Sequence, residues 1–482
     1  MMAEPTSCDS PGRARNVTRE PTESLRQLAA IIAGNLCHRC GTCSAICPHD
    51  VLRPDDDAYP SWEGREDKCI DCSLCVRVCP GREFSYPEHS RKLFGREPDI
   101  TERCGFFLKA WIGHTNDTAL LARTTSGGIA TEIPRFLLKE GRIKAAVAVR
   151  SDPRLPWKPA AFVARSPEEI VLGANSKYPA CSLNHVLRLL DEASGPWLVT
   201  GLPCHIHGIR KLCSLKKDLE HRIALVVGLF CHSCLDHQAL RDMIRMYRLP
   251  QESIAEVVYR RGKLPGEVHA RLRDGSWIGL PYPFAPIGSY RPNAKEFLTF
   301  FFKFYSPLRC RMCIDASSEF SDISLSDPWV AGWQAVSSLE QGRSFILGRT
   351  ERGCSLLEEM AERKIITLES FPYEQARKAH GPMSRDKRRR AWHTMNQRRK
   401  RNEPAPDYGV QPALDSGERR AACIHTATYF AADRPVLRRF IMRILLSRPG
   451  RLIVYAMLFR RRVLVAALEK WRAARSTRQS QD

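Results

Sequence analysis

The sequence lacks three features that would place it in familiar classes. It has no run of about 18 uninterrupted apolar residues, the length a membrane-spanning helix needs, so no span is predicted. Its first ten residues hold no apolar stretch typical of a secretory signal, and we therefore expect a cytoplasmic protein. Neither G-x-G-x-x-G nor G-x-x-x-x-G-K-[ST] occurs, which leaves a Rossmann-bound nicotinamide and a P-loop nucleotide without support.

Cysteine, by contrast, is abundant. The chain of 482 residues is too long for one compact core and suits two or three domains. Its 19 cysteines are poor candidates for a disulfide framework, because the cytosol keeps thiols reduced. Clustered cysteines in such a chain indicate metal binding.

The positive charge is concentrated at the C-terminus. Residues 381–482 hold 24 Lys and Arg against 8 Asp and Glu, a net of +16, so the first 380 residues keep only +6 of the total of +22. Nucleic acid or an anionic membrane would therefore meet the C-terminal extension rather than the cysteine-rich body.

The pattern along the chain predicts an α+β multidomain protein. We expect a mobile leader over residues 1–30, a two-cluster ferredoxin-type module over 31–105, an α/β body over 106–200 and 201–375, and a basic helical extension over 376–482. Short apolar runs at 147–149, 197–200 and 223–229 predict buried strands, and 129–140, 183–192 and 237–247 predict helices between them. That alternation is typical of βαβ units. A more β-like stretch follows at 254–286, and 402–417 is interpreted as a linker.

Two tandem cysteine motifs carry the clearest chemistry. Residues 37–48 and 69–80 both read C-x2-C-x2-C-x3-C-P. In two-cluster ferredoxins the first three thiolates of such a motif bind one cubane and the fourth reaches the other. The motifs therefore predict one 4Fe-4S cluster on Cys37, Cys40, Cys43 and Cys79, and a second on Cys69, Cys72, Cys75 and Cys47. Zinc is the alternative, but its four ligands would leave half of these cysteines idle.

Two weaker signals lie downstream. Ser126, Gly127 and Gly128 precede a predicted helix, where they form either an anion-binding turn or an ordinary turn. Further cysteines lie just after predicted strands or in a late C-x2-C pair: Cys204, Cys231, Cys234, Cys310 and Cys313. Ligands collect at the carboxyl ends of parallel strands, so a third metal centre competes here with buried cysteines that merely pack.

The order of these motifs resembles the family of coenzyme F420 hydrogenase and dehydrogenase beta subunits, which also includes 7-hydroxymethyl chlorophyll a reductase. The resemblance spans about residues 35–375. Its pieces are the tandem motifs, the Ser-Gly-Gly turn, Ser-Lys-Tyr at 176–178, Gly-Leu-Pro-Cys at 201–204, Gly-Leu-Phe-Cys-His at 228–232, Cys-Arg-Met-Cys-Ile-Asp at 310–315 and the segment 321–329.

The resemblance implies a flavin in the α/β body, FAD or alternatively FMN, and a third 4Fe-4S cluster beside it. It assigns the flavin to Ser126, Gly127, Gly128 and Lys177, the last as a phosphate contact. It assigns the third cluster to Cys204, Cys231, Cys310 and Cys313, with Cys234 as a substitute. The implied activity is electron transfer through clusters to a flavin that exchanges hydride with an organic acceptor or coenzyme F420.

His205 departs from the resemblance, since many family members have glutamine after this cysteine. A histidine here is either a catalytic proton donor or a structural side chain hydrogen-bonded beside a cluster.

Three functions compete: an oxidoreductase fed by ferredoxin or reduced F420, a non-catalytic electron-transfer subunit of a partner enzyme, and a nucleic-acid-binding iron–sulfur protein. We expect no sequence-specific nucleic acid, because the basic runs at 387–390 and 398–401 come with no recognition fold. Amphipathic segments at 434–446 and 452–462 indicate either peripheral contact with the inner face of an anionic membrane or a helix packed on the body.

Overall fold

The computed structural model describes residues 20–190, 195–246, 249–262, 266–279, 301–328 and 342–446. The helices with defined bounds in these ranges are α1 (Glu23–Ala33), α2 (Thr42–Ile46), α3 (Leu74–Arg77), α4 (Tyr86–Phe94), α5 (Thr118–Arg123), α6 (Ile129–Lys139), α7 (Pro167–Ile170), α8 (Pro203–Leu215), α9 (Lys217–Arg222), α10 (His237–Met246), α11 (Leu308–Arg311), α12 (Glu351–Glu362), α13 (Tyr373–Arg377), α14 (Gly381–Lys400), α15 (Ser416–Ala427) and α16 (Pro435–Leu446). Residues 301–305 are also helical. Short 3-10 helices occupy Glu66–Lys68, Val171–Gly173, Leu183–Leu189 and Gln251–Ser253.

The strands form three sheets. They are β1 (Arg53–Pro54), β2 (Pro60–Ser61), β3 (Lys109–Thr115), β4 (Ala145–Ser151), β5 (Pro159–Ala164), β6 (Trp197–Gly201), β7 (Ile223–Leu229), β8 (Ile254–Arg261), β9 (Glu267–Leu272), β10 (Trp277–Gly279), β11 (Ile323–Ser326), β12 (Ser344–Gly348) and β13 (Ile366–Ser370). The largest sheet has eight strands in the order β13-β3-β12-β11-β7-β6-β4-β5.

The centre of this sheet is parallel. β4 pairs with β6, β6 with β7 and β7 with β11, with Val147 opposite Val199 and Ser324 opposite Gly228. The remaining pairs, which involve β3, β5, β12 and β13, are antiparallel. The predicted strands at 147–149, 197–200 and 223–229 are confirmed, because apolar side chains along these runs are buried as a doubly covered parallel sheet requires.

The parallel arrangement places four chain segments at one edge. Arg150 lies at the carboxyl end of β4, Cys204 follows β6, Cys231 follows β7, and Asp327 follows β11. Carboxyl ends of neighbouring parallel strands meet at the same edge, where open α/β sheets bind ligands.

The predicted helices are confirmed in two of three cases. Helices α6 and α10 match 129–140 and 237–247, with Tyr247 outside the described residues. The segment predicted as a helix at 183–192 is instead a 3-10 helix ending at Leu189, and residues 191–192 lie outside the described part. Asn184 explains the difference, since its amide binds the Thr42 hydroxyl and its backbone N–H binds the Cys40 carbonyl. Contact with the cysteine loop overrides local helix propensity here.

The cysteine-rich module shares its core with the α/β body. Ile46 and Val76 belong to the same buried cluster as Trp197, Ile206 and Trp392. Residues 23–30, which the predicted boundary at residue 30 assigns to a mobile leader, form most of α1 and bury Leu25 and Leu28 in that core. Residues 1–19 lie outside the described residues.

The predicted β-like stretch forms a second, antiparallel sheet of strands β8, β9 and β10 in the described residues up to 279. Residues 280–286 of that prediction lie outside the described part. The sheet packs against α10 through an apolar cluster that includes Ile254, Val257 and Leu240.

The basic segment after residue 376 differs from the expectation of a linker beyond the body. Helix α14 buries Lys387, Arg388 and Arg390, which are 1, 8 and 0 % exposed. The segment 402–417 is likewise fastened, because buried Tyr408 donates a hydrogen bond to the Met312 carbonyl. The described part of the extension therefore packs against the cysteine-bearing core.

Candidate functional site

The two tandem motifs have the same backbone conformation. Arg39 and Gly41 have φ of 60° and 82°, and the equivalent Asp71 and Ser73 have φ of 57° and 56°. These left-handed residues turn each loop back so that its thiols face one point. At Gly41 a β-carbon would lie 2.6 Å from the His185 backbone nitrogen, so this position needs glycine. Asp71 is stabilised in its turn because its carboxylate accepts hydrogen bonds from Ser24.

In the structure, the fourth cysteine of each motif lies near the first three cysteines of the other motif. Burial raises the pKa of Cys37, and the next cause is negative charge on Cys79, the last cysteine of the other motif. Burial raises the pKa of Cys75 to about 12, with further contributions from Cys72, Cys47 and Cys69. We call Cys37, Cys40, Cys43 and Cys79 the first cysteine set. The second cysteine set is Cys47, Cys69, Cys72 and Cys75.

A third cysteine set forms where β6 and β7 end. Its members are Cys204, Cys231, Cys234, Cys310 and Cys313. Burial raises the pKa of Cys204, and negative charge on Cys231, Cys310 and Cys313 raises it further. Burial likewise raises the pKa of Cys231 to about 12, with contributions from Cys310 and Cys313. Residues that lie more than 100 positions apart in sequence therefore converge on one buried point.

Cys234 and Cys310 are in direct contact within this set. Their sulfur atoms are 3.3 Å apart. The hydrogen bond between the two thiols lowers the pKa of Cys310 to about 6 and raises that of Cys234. Five thiols thus surround a site for which a cubane needs four.

The three sets lie in series. Cys75 of the second set lies close enough to Cys43 of the first for its negative charge to raise the pKa of Cys43. Cys40 of the first set raises the pKa of Cys204 of the third in the same way. The first set is therefore between the other two. Solvent access differs along the series, since Cys72 of the second set is exposed while Cys40 and Cys313 are buried.

Within the described ranges, no three Cys, His, Asp or Glu side chains are arranged to hold a single metal ion. A cubane binds its four thiolates at separate iron corners, whereas zinc binds all of its ligands at one ion.

A buried cation adjoins the third set. The Lys387 ammonium donates hydrogen bonds to the backbone carbonyls of Cys231, at 2.6 Å, and of Asp315. Burial opposes the charged form, but charge on Cys313, Cys231, Asp315 and Cys310 raises the pKa of Lys387 above its usual value. A group that carries net negative charge together with its thiolate ligands is therefore favoured beside Lys387.

The Ser-Gly-Gly turn packs closely against residue 113 and the segment 342–344. The Ser126 hydroxyl donates to the Arg343 carbonyl, and the Gly127 N–H donates to the Ser344 hydroxyl at 3.0 Å. A β-carbon on Gly127 would lie 2.4 Å from the Gly113 carbonyl oxygen, and Gly128 adopts φ of 77° to begin α6. These backbone groups are already occupied by the fold.

Lys177 is also engaged by the protein. Its ammonium donates to the backbone carbonyls of Gly173, Ala174 and Asn175, at 3.3, 2.7 and 3.1 Å. Burial lowers the pKa of Lys177 to about 8. Three carbonyl acceptors use the three ammonium hydrogens, so the predicted phosphate contact differs from the observed role, which is to fasten this loop.

A cavity of about 860 Å³ lies beside the Ser-Gly-Gly turn and the loop that carries Lys177. Thr124 and Thr125 line it, and the Thr125 hydroxyl contacts that of Ser176 at 3.1 Å. Five arginines also line it: Arg123, Arg150, Arg260, Arg261 and Arg271. The volume falls within the range of about 300–1,000 Å³ that small-molecule and cofactor sites occupy.

Arg150 combines a buried donor atom with a position in the lining of the cavity. Its Nε atom is buried without a hydrogen-bond partner, whereas Arg260 is paired with Asp327 at 2.7 Å. Arg261 stacks on the Trp277 ring at 4.3 Å. A buried unpaired guanidinium donor is costly unless a ligand accepts from it, so Arg150 marks the cavity as an anion site. Sequence analysis missed Arg150, although its position at the end of a buried strand is a usable signal.

His205 is held as a structural side chain, the second of the two interpretations given for it. Its Nδ1 accepts from the Leu202 N–H at 3.1 Å, which caps α8, and its Nε2 contacts the Cys181 carbonyl at 3.0 Å. Burial lowers the pKa of His205 to about 4. A neutral ring with both nitrogens used by backbone is not placed to donate a proton to a substrate.

The C-terminal basic residues divide into two groups. Arg388 is buried and paired with Glu319, and Arg390 donates to the Tyr429 hydroxyl at 2.7 Å, so these two are not available to phosphates. On α16, Arg439 and Arg443 are exposed together with Val436, Phe440 and Ile444. None of the helices in the described ranges combines the length and apolarity that crossing a bilayer requires. Residues 452–462 of the predicted amphipathic pair lie outside the described part.

Three family models match the chain. "4Fe-4S dicluster domain" matches residues 36–82. "Coenzyme F420 hydrogenase/dehydrogenase, beta subunit" matches in two parts, with the model of its N-terminal part over 110–188 and the model of its C terminus over 196–373. The last two together cover more than half of the chain, and helix α14 begins beyond them.

Curated relatives agree with these matches. The chain is 25 % identical over 361 residues to coenzyme F420-dependent sulfite reductase of Methanocaldococcus jannaschii, covering 72 % of this chain and 49 % of that protein. It is 24 % identical to one of the subunits of F(420)H(2) dehydrogenase from Methanosarcina mazei, covering 64 % and 81 %. It is 26 % identical to 7-hydroxymethyl chlorophyll a reductase of Oryza sativa subsp. japonica, covering 63 % and 62 %. The chain thus spans about half the length of the sulfite reductase.

Proposed function

Because the chain belongs to the family of coenzyme F420 hydrogenase/dehydrogenase beta subunits, we propose that it is an iron–sulfur flavoprotein oxidoreductase. Electrons would enter at the second cysteine set, pass the first and third sets, and reach a flavin in the arginine-lined cavity. The acceptor or donor of hydride would be an organic substrate or coenzyme F420.

The observation that carries this proposal is the series of three cysteine sets. A ferredoxin module alone would need only the first two sets, and the third set lies at the carboxyl edge of the sheet that also ends in Arg150. Exposed Cys72 gives a donor access to the second set, while the third set, half-buried except for buried Cys313, lies at the sheet edge of the body. We assign one 4Fe-4S cluster to each set, with Cys204, Cys231, Cys310 and Cys313 as ligands in the third.

The proposed flavin is FAD, with FMN as the alternative. A bound flavin supplies the exchange between single electrons and a hydride. In this chain the Arg150 guanidinium would bind a phosphate of that group, since it presents an unpaired donor in the cavity. The hydroxyls of Thr124 and Thr125 are the neutral donors beside it.

Metal and flavin analysis of anaerobically purified protein tests the proposal. We expect about twelve irons and as many sulfides per chain, because three cubanes hold four each, with one flavin. A value of about eight irons would contradict the third cluster, and zinc in place of iron would overturn the whole assignment. Protein without flavin after supplementation with FAD and FMN would contradict the assignment of the cavity.

The principal alternative is an electron-transfer subunit without a substrate of its own, because one relative is named as a subunit of a dehydrogenase. Turnover of F420 by the isolated chain with a chemical electron donor or acceptor would identify an enzyme. Reduction of its clusters by ferredoxin without turnover until a partner is added would identify a subunit.

We also propose that α16 contacts an anionic membrane surface. Val436, Phe440 and Ile444 recur every fourth residue and are 74, 61 and 45 % exposed, with Arg439 and Arg443 beside them. Apolar side chains flanked by arginines suit the headgroup region of anionic lipid.

Vesicle sedimentation tests this contact. Phe440→Ser is expected to weaken binding to phosphatidylserine vesicles by about tenfold, because burying a phenylalanine contributes about 1.5–3 kcal/mol. Leu189→Ser, a change at an exposed leucine far from α16 in sequence, is the control and should bind as the unchanged protein does. Equal binding to phosphatidylcholine vesicles, or no binding to either, would contradict the proposal.

A further inference from the structure

Lys387 is a buried cation without a carboxylate of its own. Its side chain is 1 % exposed, and its hydrogen bonds go to two backbone carbonyls, those of Cys231 and Asp315. Within the described ranges no carboxylate oxygen lies at ion-pair distance from its ammonium. Isolated buried charges are strongly unfavourable, so a compensating negative charge is required nearby.

The third cysteine set is the place where that charge would lie. Lys387 is in electrostatic range of Cys231, Cys310 and Cys313, as well as of Asp315. The Asp315 carboxylate supplies part of that charge, and it is held in place by accepting from the His207 ring at 3.0 Å and from the Ser317 N–H at 2.9 Å. Four thiolates around a cubane carry the net negative charge that remains to be balanced.

The cations beside the first two cysteine sets are placed differently. Within the described residues, buried Arg309 also lacks a carboxylate, but it donates to the Leu36 carbonyl and the Tyr408 hydroxyl and is in electrostatic range of Cys310 and Cys313, so its charge is shared between the first and third sets. Arg39, beside the first set, is paired with Asp236 at 2.5 Å. Lys211 donates to the Cys79 carbonyl at 3.4 Å but is paired with Glu83 at 3.3 Å. The loop of the second set carries the Asp71 carboxylate, which is bound by Ser24. Lys387 differs from these cations because the cysteines it adjoins all belong to the third set.

We propose that Lys387 is a tuning residue that raises the reduction potential of the third cluster and so directs electrons from the ferredoxin-type module into the body. Reduction adds one electron to this cluster, taken from the neighbouring cluster or from a chemical reductant, and no proton moves. The added negative charge is stabilised by the fixed ammonium, which offsets the unfavourable effect of burial on a more negative cluster. This inference rests on the third cluster of the proposed function.

The source of this cation lies outside the family match. Lys387 belongs to α14, which begins at Gly381, whereas the matched segment ends at residue 373. The helix is anchored beside the site by buried Ala391, Trp392 and Met395. Helix α14, which lies outside the segment matched by the family model, thus places a positive charge beside the third cysteine set.

Potentiometric titration followed by electron paramagnetic resonance tests the inference on the whole protein. Lys387→Met keeps the length of the side chain and removes its charge. We expect the third cluster to become at least tenfold harder to reduce, which corresponds to about 59 mV for a one-electron couple. The two ferredoxin-type potentials should stay unchanged. Lys387→Arg, which retains the charge, should restore most of the difference.

Lys211→Met is the matched control, because it removes a paired lysine beside the first set. It should leave the potential of the third cluster unchanged. Twelve irons with an unchanged third potential in Lys387→Met would overturn this inference and leave the proposed function standing. Eight irons in the unchanged protein would instead contradict the proposed function. If Lys387→Met lost the third cluster, retention of that cluster in Lys387→Arg would support the role of charge, and loss in both would contradict it.

Discussion

Replacing Cys234 and Cys310 together with serine is expected to remove the third cluster and to stop electron transfer into the body. The two sulfurs are 3.3 Å apart, so either can reach the position that the other would occupy as a ligand. Removing both leaves three thiols, one fewer than a cubane needs. Iron content should fall by about four per chain, and dithionite should reduce the remaining clusters without bleaching the flavin absorbance at a comparable rate.

The single variants assign the ligand. Cys234→Ser should keep the third cluster, since Cys310 forms a C-x2-C pair with Cys313 and the proposed ligand set already has four cysteines without Cys234. Cys310→Ser should retain the cluster only partly, with Cys234 as its replacement. Cys213→Ser changes another buried cysteine of α8, outside the three sets, and should keep all irons. A double variant with full iron content would contradict the third site, and loss of the cluster from Cys234→Ser alone would transfer the assignment to Cys234.

The ferredoxin-type motifs could be predicted from sequence because their ligands lie close together in the chain. Each loop places three cysteines within seven residues, and left-handed turns at Arg39, Gly41, Asp71 and Ser73 are local properties. The central strands were equally accessible, since uninterrupted apolar runs bounded by turn residues are typical of buried parallel strands. The late cysteines could be placed at strand ends, but only the sheet order shows that they meet.

The basic segment could not be interpreted from its composition. Lysine and arginine runs are usually solvated, and nothing in residues 387–390 alone distinguishes a buried charge from an exposed one. A usable signal lies further along the helix, where Ala391, Trp392 and Met395 recur at helical spacing and are buried. That apolar face, extended backward by one turn, includes Arg388 and adjoins Lys387.

Lys177 and His205 show what a local sequence pattern cannot give. Lys177 lies in a segment that matches the family pattern, His205 directly follows one, and burial lowers the pKa of both. Their polar atoms nevertheless bind backbone groups of the loops that carry them. Sequence motifs identify a neighbourhood, whereas the direction of each side chain depends on tertiary contacts.

Arg150→Leu is expected to weaken flavin binding by about 10- to 100-fold. Arg150 lines the cavity, and its buried Nε has no hydrogen-bond partner within the described structure, so a ligand phosphate would gain a charge-assisted hydrogen bond there. Such bonds contribute about 1.5–3 kcal/mol, and 1.4 kcal/mol is a tenfold change in affinity. Titration of flavin-depleted protein with FAD and FMN, followed by fluorescence quenching, measures the dissociation constant. The same titrations identify which flavin binds more tightly.

Arg142→Leu is the control for this loss. Arg142 lies near the start of the same strand but outside the cavity, where its guanidinium is paired with Glu359 at 2.6 Å, and its replacement should leave flavin affinity unchanged. Arg150→Lys should bind with intermediate affinity, because a lysine keeps the charge but loses the planar donor geometry. Equal affinity in Arg150→Leu and the unchanged protein would remove the cavity as the phosphate site. Because the cysteine sets are separate from these substitutions, iron content should stay constant throughout, so a decrease in flavin reports on the cavity alone.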